Sequence, residues 1–134
     1  MTAWFEAITQ AMESQDHLPY GRSEAGSPIV EGASKQVLWQ GTEVMHKGDH
    51  CSCVYTVLET VLDAVKILGL EDDYSLESVQ DLRRWCFIYD ETKRQGIAGG
   101  FSLWGWGGIV PVEEARSGDV AQIWDTTNDG RTIF

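Results

Sequence analysis

The apolar positions of this chain recur three and four residues apart in several stretches, a spacing typical of amphipathic α-helices. The first stretch covers residues 2–14, where Thr2 is placed to cap the helix N-terminus. Its expected buried face consists of Trp4, Phe5, Ile8 and Met12. We therefore predict a helix over residues 2–14 that packs against the rest of the domain through this face.

A longer helix is predicted in the middle of the chain. It begins near Cys51 and runs to about Leu68, where Gly69 supplies a C-terminal stop. Its apolar stripe consists of Val54, Leu58, Val61, Leu62 and Val65. A third helix follows, with Asp73 or Ser75 as its cap. The apolar positions of the third helix are Leu76, Val79, Leu82 and Phe87.

Between and after these helices the sequence favours loops and strands. Residues 17–34 contain glycine, proline and serine at many positions and are predicted to form a loop. Residues 36–45 favour a short strand or hairpin. Residues 96–108 combine glycine with aromatic side chains, so we expect a glycine-rich aromatic loop there.

The C-terminal region has the pattern of β-structure. Strands are expected at Ile109–Val112 and over residues 119–126. Residues 128–130, Asn-Asp-Gly, are a strong hairpin signal, and the return strand covers residues 131–134. Because this return strand is short, we expect a further C-terminal segment or a second chain to complete the hairpin.

Helices followed by short strands in a chain of 134 residues predict a single α+β domain over residues 1–134. We expect N-terminal helices packed on a small antiparallel sheet. With 43% hydrophobic and 23% charged residues, the composition is that of an ordinary globular protein.

Charge and hydropathy exclude several classes of partner. The chain carries 10 Lys and Arg against 21 Asp and Glu, a formal net charge of −11. Nucleic acids and anionic lipids favour clustered positive charge, so neither is an expected partner. No apolar run approaches the roughly 20 residues that cross a bilayer, and no membrane insertion is expected. The first residues do not resemble a signal peptide, which predicts a protein that is cytoplasmic or exported by another route.

Chemistry is expected where the long helix begins. Cys51 lies at, or one residue before, the predicted helix N-terminus, where unpaired N–H groups and the helix dipole favour an anion. A thiolate is such an anion, and it is the nucleophilic form of cysteine. Cys51 is therefore the predicted nucleophile, with its own backbone N–H as a donor to the oxyanion.

The other thiols have different expected roles. Three cysteines cannot all pair within one chain, which predicts free thiols. Cys86 follows Trp85 at an apolar core position and is expected to be a small buried hydrophobe. Cys53 is the rival nucleophile. On a helix starting near residue 51 it lies about 200° around from Cys51, so only one of them can face a groove. Both thiols being structural is the remaining alternative.

A metal site is not predicted. His46, His50, Cys51 and Cys53 are metal-capable, but structural zinc commonly uses two such pairs separated by a dozen or more residues. The second pair is absent from the sequence, so neither a metal nor another cofactor is expected.

Three short motifs of the chain resemble the NlpC/P60 group of papain-like cysteine peptidases. They are Leu18–Gly21 (Leu-Pro-Tyr-Gly), Asp49–Ser52 (Asp-His-Cys-Ser) and Ser117–Val120 (Ser-Gly-Asp-Val). In that family the cysteine sits at the start of a helix packed on an antiparallel sheet, and a histidine on a later strand is the base. The resemblance implies amide hydrolysis through Cys51, with peptide of the bacterial cell wall as substrate. The family's histidine would fall beyond Phe134.

Substrate-binding residues are predicted around the thiol. By resemblance Tyr20 lines the substrate groove and Ser52 lies beside the nucleophile. Trp104 and Trp106 carry aromatic faces suited to sugar rings or a peptide stem. The alternative is that these two indoles cover the core, and that Tyr20 only stabilises its own loop.

A second class of function is open to the same sequence. A domain that kept the NlpC/P60-like fold and lost its base would be a non-catalytic binding or structural module. A histidine-bearing strand after residue 134 would favour the enzyme, and its absence would favour the module.

Overall fold

The computed structural model describes residues 2–16, 18–19, 32–86, 96–121, 125–126 and 132–133. These residues form an α+β fold, as predicted. The helices are α1 (Ala3–Glu13), α2 (Cys53–Ile67), α3 (Leu76–Trp85) and α4 (Gly96–Leu103). The strands are β1 (Val37–Trp39), β2 (Thr42–Met45), β3 (Asp125–Thr126) and β4 (Thr132–Ile133).

The core is built around α2. Ten of its fifteen residues are buried, so neighbouring elements surround it on most sides. The Ser52 side chain caps its N-terminus by accepting a hydrogen bond from the N–H of Tyr55. At the other end Gly69 has a φ of 70°, and its N–H donates to the carbonyl of Lys66. Both the predicted start near Cys51 and the predicted stop at Gly69 are confirmed.

Helix α1 packs on α2 through small side chains. Thr2 caps α1 as predicted, and its hydroxyl accepts from the N–H of Phe5. The buried positions are Ala7 and Ala11, whereas Met12, expected on the buried face, is 60% exposed. Alanine has no side chain beyond Cβ, so the two helices approach closely along this line. The larger apolar residues of α1 lie at the sides of the contact instead.

The predicted hairpin over residues 36–45 is confirmed. Strands β1 and β2 pair antiparallel, with Trp39 opposite Thr42. The connecting residues Gln40 and Gly41 both have positive φ, which suits the tight turn of a two-residue hairpin. The buried side chains of the hairpin are Val37, Trp39, Val44 and Met45, which belong to the same apolar core as α2.

Residues 96–108 were expected to be a loop, and that prediction is wrong for the first eight of them. They form α4, which packs against α3. A Cβ on Gly100 would lie 2.7 Å from Cγ of Trp85 and 2.9 Å from Cδ2 of Leu82. Glycine is present here because the two helices touch, and it does not mark chain flexibility.

The predicted β-structure after α4 is present only in part. Ile109–Val112, expected to be a strand, lies outside the β-ladders of the described residues and leads into a 3₁₀ turn at Val112–Glu114. Of the strand expected over residues 119–126, Asp125 and Thr126 are in β-conformation. They pair antiparallel with Thr132 and Ile133, which confirms the C-terminal hairpin. Residues 128–130, the predicted turn, lie outside the described residues.

The indole N–H groups of five described tryptophans each donate a hydrogen bond to an acceptor inside the domain, and four of these bonds connect different parts of the chain. The pairs are Trp4 with the carbonyl of Gly118, Trp39 with the carbonyl of Tyr74, Trp85 and Trp104 with Oδ2 of Asp81, and Trp106 with Oγ of Ser78. Indoles of this kind bring a large apolar area into the core without leaving a buried donor unpaired. In the described part of the chain, no helix is both long and apolar enough to cross a membrane.

Replacing Asp81 tests this arrangement. Asp81→Ala should lower the free energy of unfolding by about 1–3 kcal/mol, because two indole donors lose a charged acceptor. Asp81→Asn keeps one carbonyl oxygen and should cost less. Asp72→Ala, at an exposed position of the 3₁₀ turn Glu71–Asp73, is the control in urea denaturation. Equal stabilities of Asp81→Ala and Asp72→Ala would show that the indole contacts contribute little.

Candidate functional site

The candidate site lies in residues 46–52, the segment that leads into α2. Cys51 precedes the N-cap Ser52, so it stands just outside the helix and not within it. Its backbone N–H donates to the carbonyl of Pro19 at 3.0 Å. The segment is therefore fixed from two sides, by the helix that follows and by the hydrogen bond to Pro19.

The sulfur of Cys51 is half-buried and does not belong to the apolar core. Its Sγ lies 3.6 Å from the carbonyl oxygen of Leu18, a contact in which the thiol donates. The positive end of the α2 dipole lies at the same end of the helix and favours an anion nearby.

The expected oxyanion donor is engaged elsewhere. The N–H of Cys51 was predicted to serve, but it is the group that donates to Pro19. Tyr55 and Thr56 donate their N–H groups to Ser52, through its hydroxyl and its carbonyl. Helix geometry leaves the N–H groups of the first turn without intrahelical partners. The remaining donors of that turn are therefore those at positions 53 and 54.

The two thiols of the segment have different surroundings. Cys53 is the first residue of α2 and is exposed, whereas Cys51 is half-buried. The expected angle of about 200° between them does not apply, since Cys51 lies outside the helix. Cys53 is therefore the more accessible of the two thiols. Cys51 is held in place by its hydrogen bonds to Leu18 and Pro19.

The backbone of residues 32 and 33 also contacts this segment. Ala33 forms a parallel bridge with Lys47: its N–H donates to the carbonyl of His46, and its carbonyl accepts from the N–H of Gly48. The two stretches of backbone are in close contact here, since a Cβ added to Gly32 would lie only 2.1 Å from the carbonyl oxygen of His50. Glycine at position 32 is thus a steric requirement of the site.

An acid–imidazole pair precedes Cys51. Nδ1 of His50 lies 3.1 Å from Oδ1 of Asp49. The close contact with the His50 side chain, and after it the backbone N–H of Asp49, hold the pKa of the Asp49 carboxyl below its usual range. Asp49 is therefore anionic at neutral pH. Because its side chain is 81% exposed, water screens the pair and its effect on stability is small.

Trp106 lies away from the thiols. Its ring packs on Tyr74 at a centroid distance of 4.2 Å and on Trp39 at 5.8 Å. Nζ of Lys66, in the last turn of α2, lies 5.8 Å from the centroid of the Trp39 ring. A helix of this length spans about 22 Å. Trp106 is thus at the opposite end of α2 from Cys51.

Trp104 is also occupied within the fold. Its indole N–H donates to Asp81 of α3 at 2.7 Å, and its ring is half-buried against the core. These contacts favour the alternative in which both indoles cover the core. Tyr20, the other predicted groove residue, lies outside the described residues. Ser52 uses its hydroxyl as the cap of α2.

The metal-capable side chains do not come together. Among the described residues, no group of three or more His, Cys, Asp and Glu side chains is placed to hold a metal ion. Of the set singled out in the sequence, His46 is exposed and His50 faces Asp49. The third cysteine, Cys86, is 2% exposed and packs in the core, as predicted.

The residues that hold the candidate site in place were not predicted from the sequence. Glu59 is a carboxylate buried in the middle of α2, and it accepts hydrogen bonds from Ser34. The only signal in the sequence was an acidic residue one position from Leu58 of the apolar stripe. Such a residue usually marks the solvent face of a helix. The residue that binds Glu59, Ser34, lies 25 positions away along the chain.

Comparison with known proteins gives no match to a family model, to a curated sequence or to a solved structure. The NlpC/P60 resemblance therefore stays a prediction that is carried by the short motifs alone.

Gly32→Ala should damage the site through its backbone. The added Cβ would meet the carbonyl of His50 and push residues 48–50 away, at a cost of about 1–3 kcal/mol in the free energy of unfolding. Gly107→Ala is the matched control, because a Cβ there meets nothing within 4 Å. Urea denaturation of both variants tests the contact, and equal stabilities would contradict it.

Burial of Cys86 makes a pH-dependent contribution to stability. Desolvation raises the pKa of its thiol from 9.0 to about 12, although the nearby Arg83 charge acts to lower it. Between these values the unfolded chain loses the proton and the native state keeps it, so stability falls as the pH rises from 9.0 toward 12. The slope approaches about 1.4 kcal/mol per pH unit.

Cys86→Ala should remove this part of the pH dependence. The measurement is the difference in free energy of unfolding between wild type and variant, followed from neutral to alkaline pH. Taking the difference cancels the tyrosines and lysines, which titrate in both proteins. A difference that is constant with pH would show that the native thiol ionises as readily as the unfolded one.

Proposed function

We propose that this protein is a thiol-dependent amide hydrolase in which Cys51 is the nucleophile. The observation that carries the proposal is the position of its sulfur, half-buried just before the N-cap of the most buried helix and outside the apolar core. A sulfur in that position is close to the positive end of a helix dipole, which favours the nucleophilic anion.

The reaction would proceed in two steps. The Cys51 sulfur adds to the amide carbonyl, and the amine leaves with a proton to give a thioester. Water then hydrolyses the thioester. N–H groups of the first turn of α2, at positions 53 and 54, would stabilise the oxyanion in both steps. The base would be an imidazole, which the NlpC/P60 resemblance expects on a strand after the C-terminal hairpin.

The proposed substrate is a peptide, and the resemblance points to the peptide part of bacterial cell wall. The net charge of −11 is compatible with an uncharged or cationic segment next to the scissile amide. A closed indole cluster at the far end of α2 leaves recognition to the residues around Cys51 and to the Leu18–Pro19 stretch.

A non-catalytic binding module is the second candidate, and the hydrogen-bond partners of Cys51 favour it. The Cys51 thiol donates to the carbonyl of Leu18. Among the described residues, no hydrogen bond joins Cys51 to a histidine, and His50 faces Asp49. In this alternative the same surface binds a peptide without cleaving it.

Paired cysteine variants test the hydrolase. Wild type, Cys51→Ala and Cys53→Ala are incubated with cell-wall muropeptides, and new amines and masses are followed by chromatography and mass spectrometry. We expect Cys51→Ala to fall to the background rate, because no thioester can form. Cys53→Ala should keep most of the activity and so serves as the matched control. Treatment with a thiol-alkylating reagent should inactivate wild type, and the same treatment should have no further effect on Cys51→Ala.

Each pattern of results has a distinct meaning. Loss of hydrolysis in Cys53→Ala alone would move the nucleophile to Cys53 and contradict the assignment. Activity in both variants would exclude thiol catalysis. Muropeptide binding without turnover in all three proteins, measured by calorimetry, would establish the binding module instead.

A further inference from the structure

A buried carboxylate lies beneath the candidate site and takes no part in the proposed reaction. Glu59, in the second turn of α2, is 2% exposed. Its Oε2 accepts from the N–H of Ser34 at 2.9 Å, and its Oε1 accepts from the Ser34 hydroxyl at 2.5 Å. Both oxygens of the Glu59 carboxylate therefore accept hydrogen bonds from one loop residue, Ser34.

The contacts continue from that residue to the thiol segment. Ala33, the neighbour of Ser34, exchanges backbone hydrogen bonds with His46 and Gly48 at 3.1 and 3.0 Å. Gly32, next along the chain, touches the carbonyl of His50. Residues 32–34 therefore lie between Glu59 and the residues that immediately precede Cys51. Without Glu59, α2 would keep its apolar contacts and the ion pair of Asp63 with Lys35, but would lose its hydrogen bonds to Ser34.

A buried charge is an expensive way to fill a core position. An apolar side chain of similar size often gives equal or greater stability, because the carboxylate must be desolvated. What a carboxylate adds is a fixed geometry, since its two oxygens accept along defined directions. The directions used here set the position of the Ser34 backbone relative to α2.

We propose that Glu59 is a positioning residue for Cys51. Through Ser34 and the Ala33 bridge it fixes residues 46–50, and so fixes where the sulfur stands relative to the first turn of α2. The part of this inference that concerns turnover rests on the proposed hydrolase function. The part that concerns the position of the segment does not.

Amide hydrogen exchange tests the positioning role directly. The measured quantity is the protection of the Gly48 amide divided by that of Leu62, a core amide of α2 that exchanges through global unfolding. Glu59→Ala should lower this ratio about tenfold, because the loss of a charge-assisted hydrogen bond favours local opening of the segment. Glu59→Gln should restore most of the ratio, because its amide can accept from the Ser34 N–H and donate to the hydroxyl.

A core variant separates positioning from simple destabilisation. Val79→Ala removes two methyl groups from a fully buried position of α3, outside both α2 and residues 32–34. It should lower the protection of Leu62 through global unfolding and leave the local opening that exposes Gly48 nearly unchanged, so the ratio should not fall. If Glu59→Ala behaves in the same way, the proposal is overturned. Should Glu59→Ala fail to fold, Ser34→Ala applies the same ratio test after removing the hydroxyl contact alone.

Turnover gives the second readout. Glu59→Ala should lower kcat about tenfold and leave KM nearly unchanged, because the carboxylate lies beneath the site and does not touch the substrate. Glu59→Gln should recover kcat, and Val79→Ala should retain it. If Cys51→Ala still hydrolyses substrate, the proposed function fails, while the exchange ratio continues to decide the role of Glu59. An unchanged ratio together with an unchanged kcat would overturn the positioning role.

Discussion

The burial of α2 is the constraint on which the rest of the structure depends. Ten of its fifteen residues are buried, so α1 and α3 pack on it and the β1–β2 hairpin contributes to the same apolar core. Each face is fitted to its neighbour. Helix α1 offers alanines where the backbones approach, and the hairpin offers Trp39 and Val44 where more volume must be filled. The positions of Cys51, Ser52 and Cys53 follow from where this helix begins.

Polar groups inside the domain are placed where they fix one arrangement among several that apolar packing would allow. Asp81 accepts from two indoles that belong to different helices or their ends, and Glu59 accepts twice from Ser34. Apolar contacts alone are non-directional and tolerate small displacements. Hydrogen bonds to a carboxylate do not, because their strength falls with distance and angle. The fold thus combines a non-specific core with a few directional contacts.

The sequence predicts those features that depend on neighbours within about four residues. The cap Thr2, the cap Ser75 (one of two candidates with Asp73) and the stop at Gly69 follow from local chemistry, and all are present. The hairpin turns are local in the same sense. Residues 96–103 were mistaken for a loop because glycine was interpreted as flexibility, whereas Gly100 marks contact with Trp85 on another helix.

The support of the site was not predictable, for a related reason. The partners of Glu59 and Gly32 lie 25 and 18 residues away along the chain, and no periodic pattern reports such a contact. A buried acid within an apolar stripe, and a glycine within a loop, each have a common local explanation. Only the three-dimensional arrangement shows that both residues fix the same short segment.

The surroundings of the Cys51 sulfur do not by themselves make a hydrolase. The first turn of α2 follows directly, with N–H groups that can stabilise an oxyanion. The contacts of Cys51 with the carbonyls of Leu18 and Pro19 hold the residue in place, but a carbonyl does not take a proton from a thiol. Acyl transfer through a cysteine needs a base that takes the thiol proton and returns it to the leaving amine. Among the described residues no hydrogen bond joins Cys51 to a histidine, and His50 faces Asp49. The proposed hydrolase therefore requires an imidazole that reaches the sulfur, and the binding module is the same site without one.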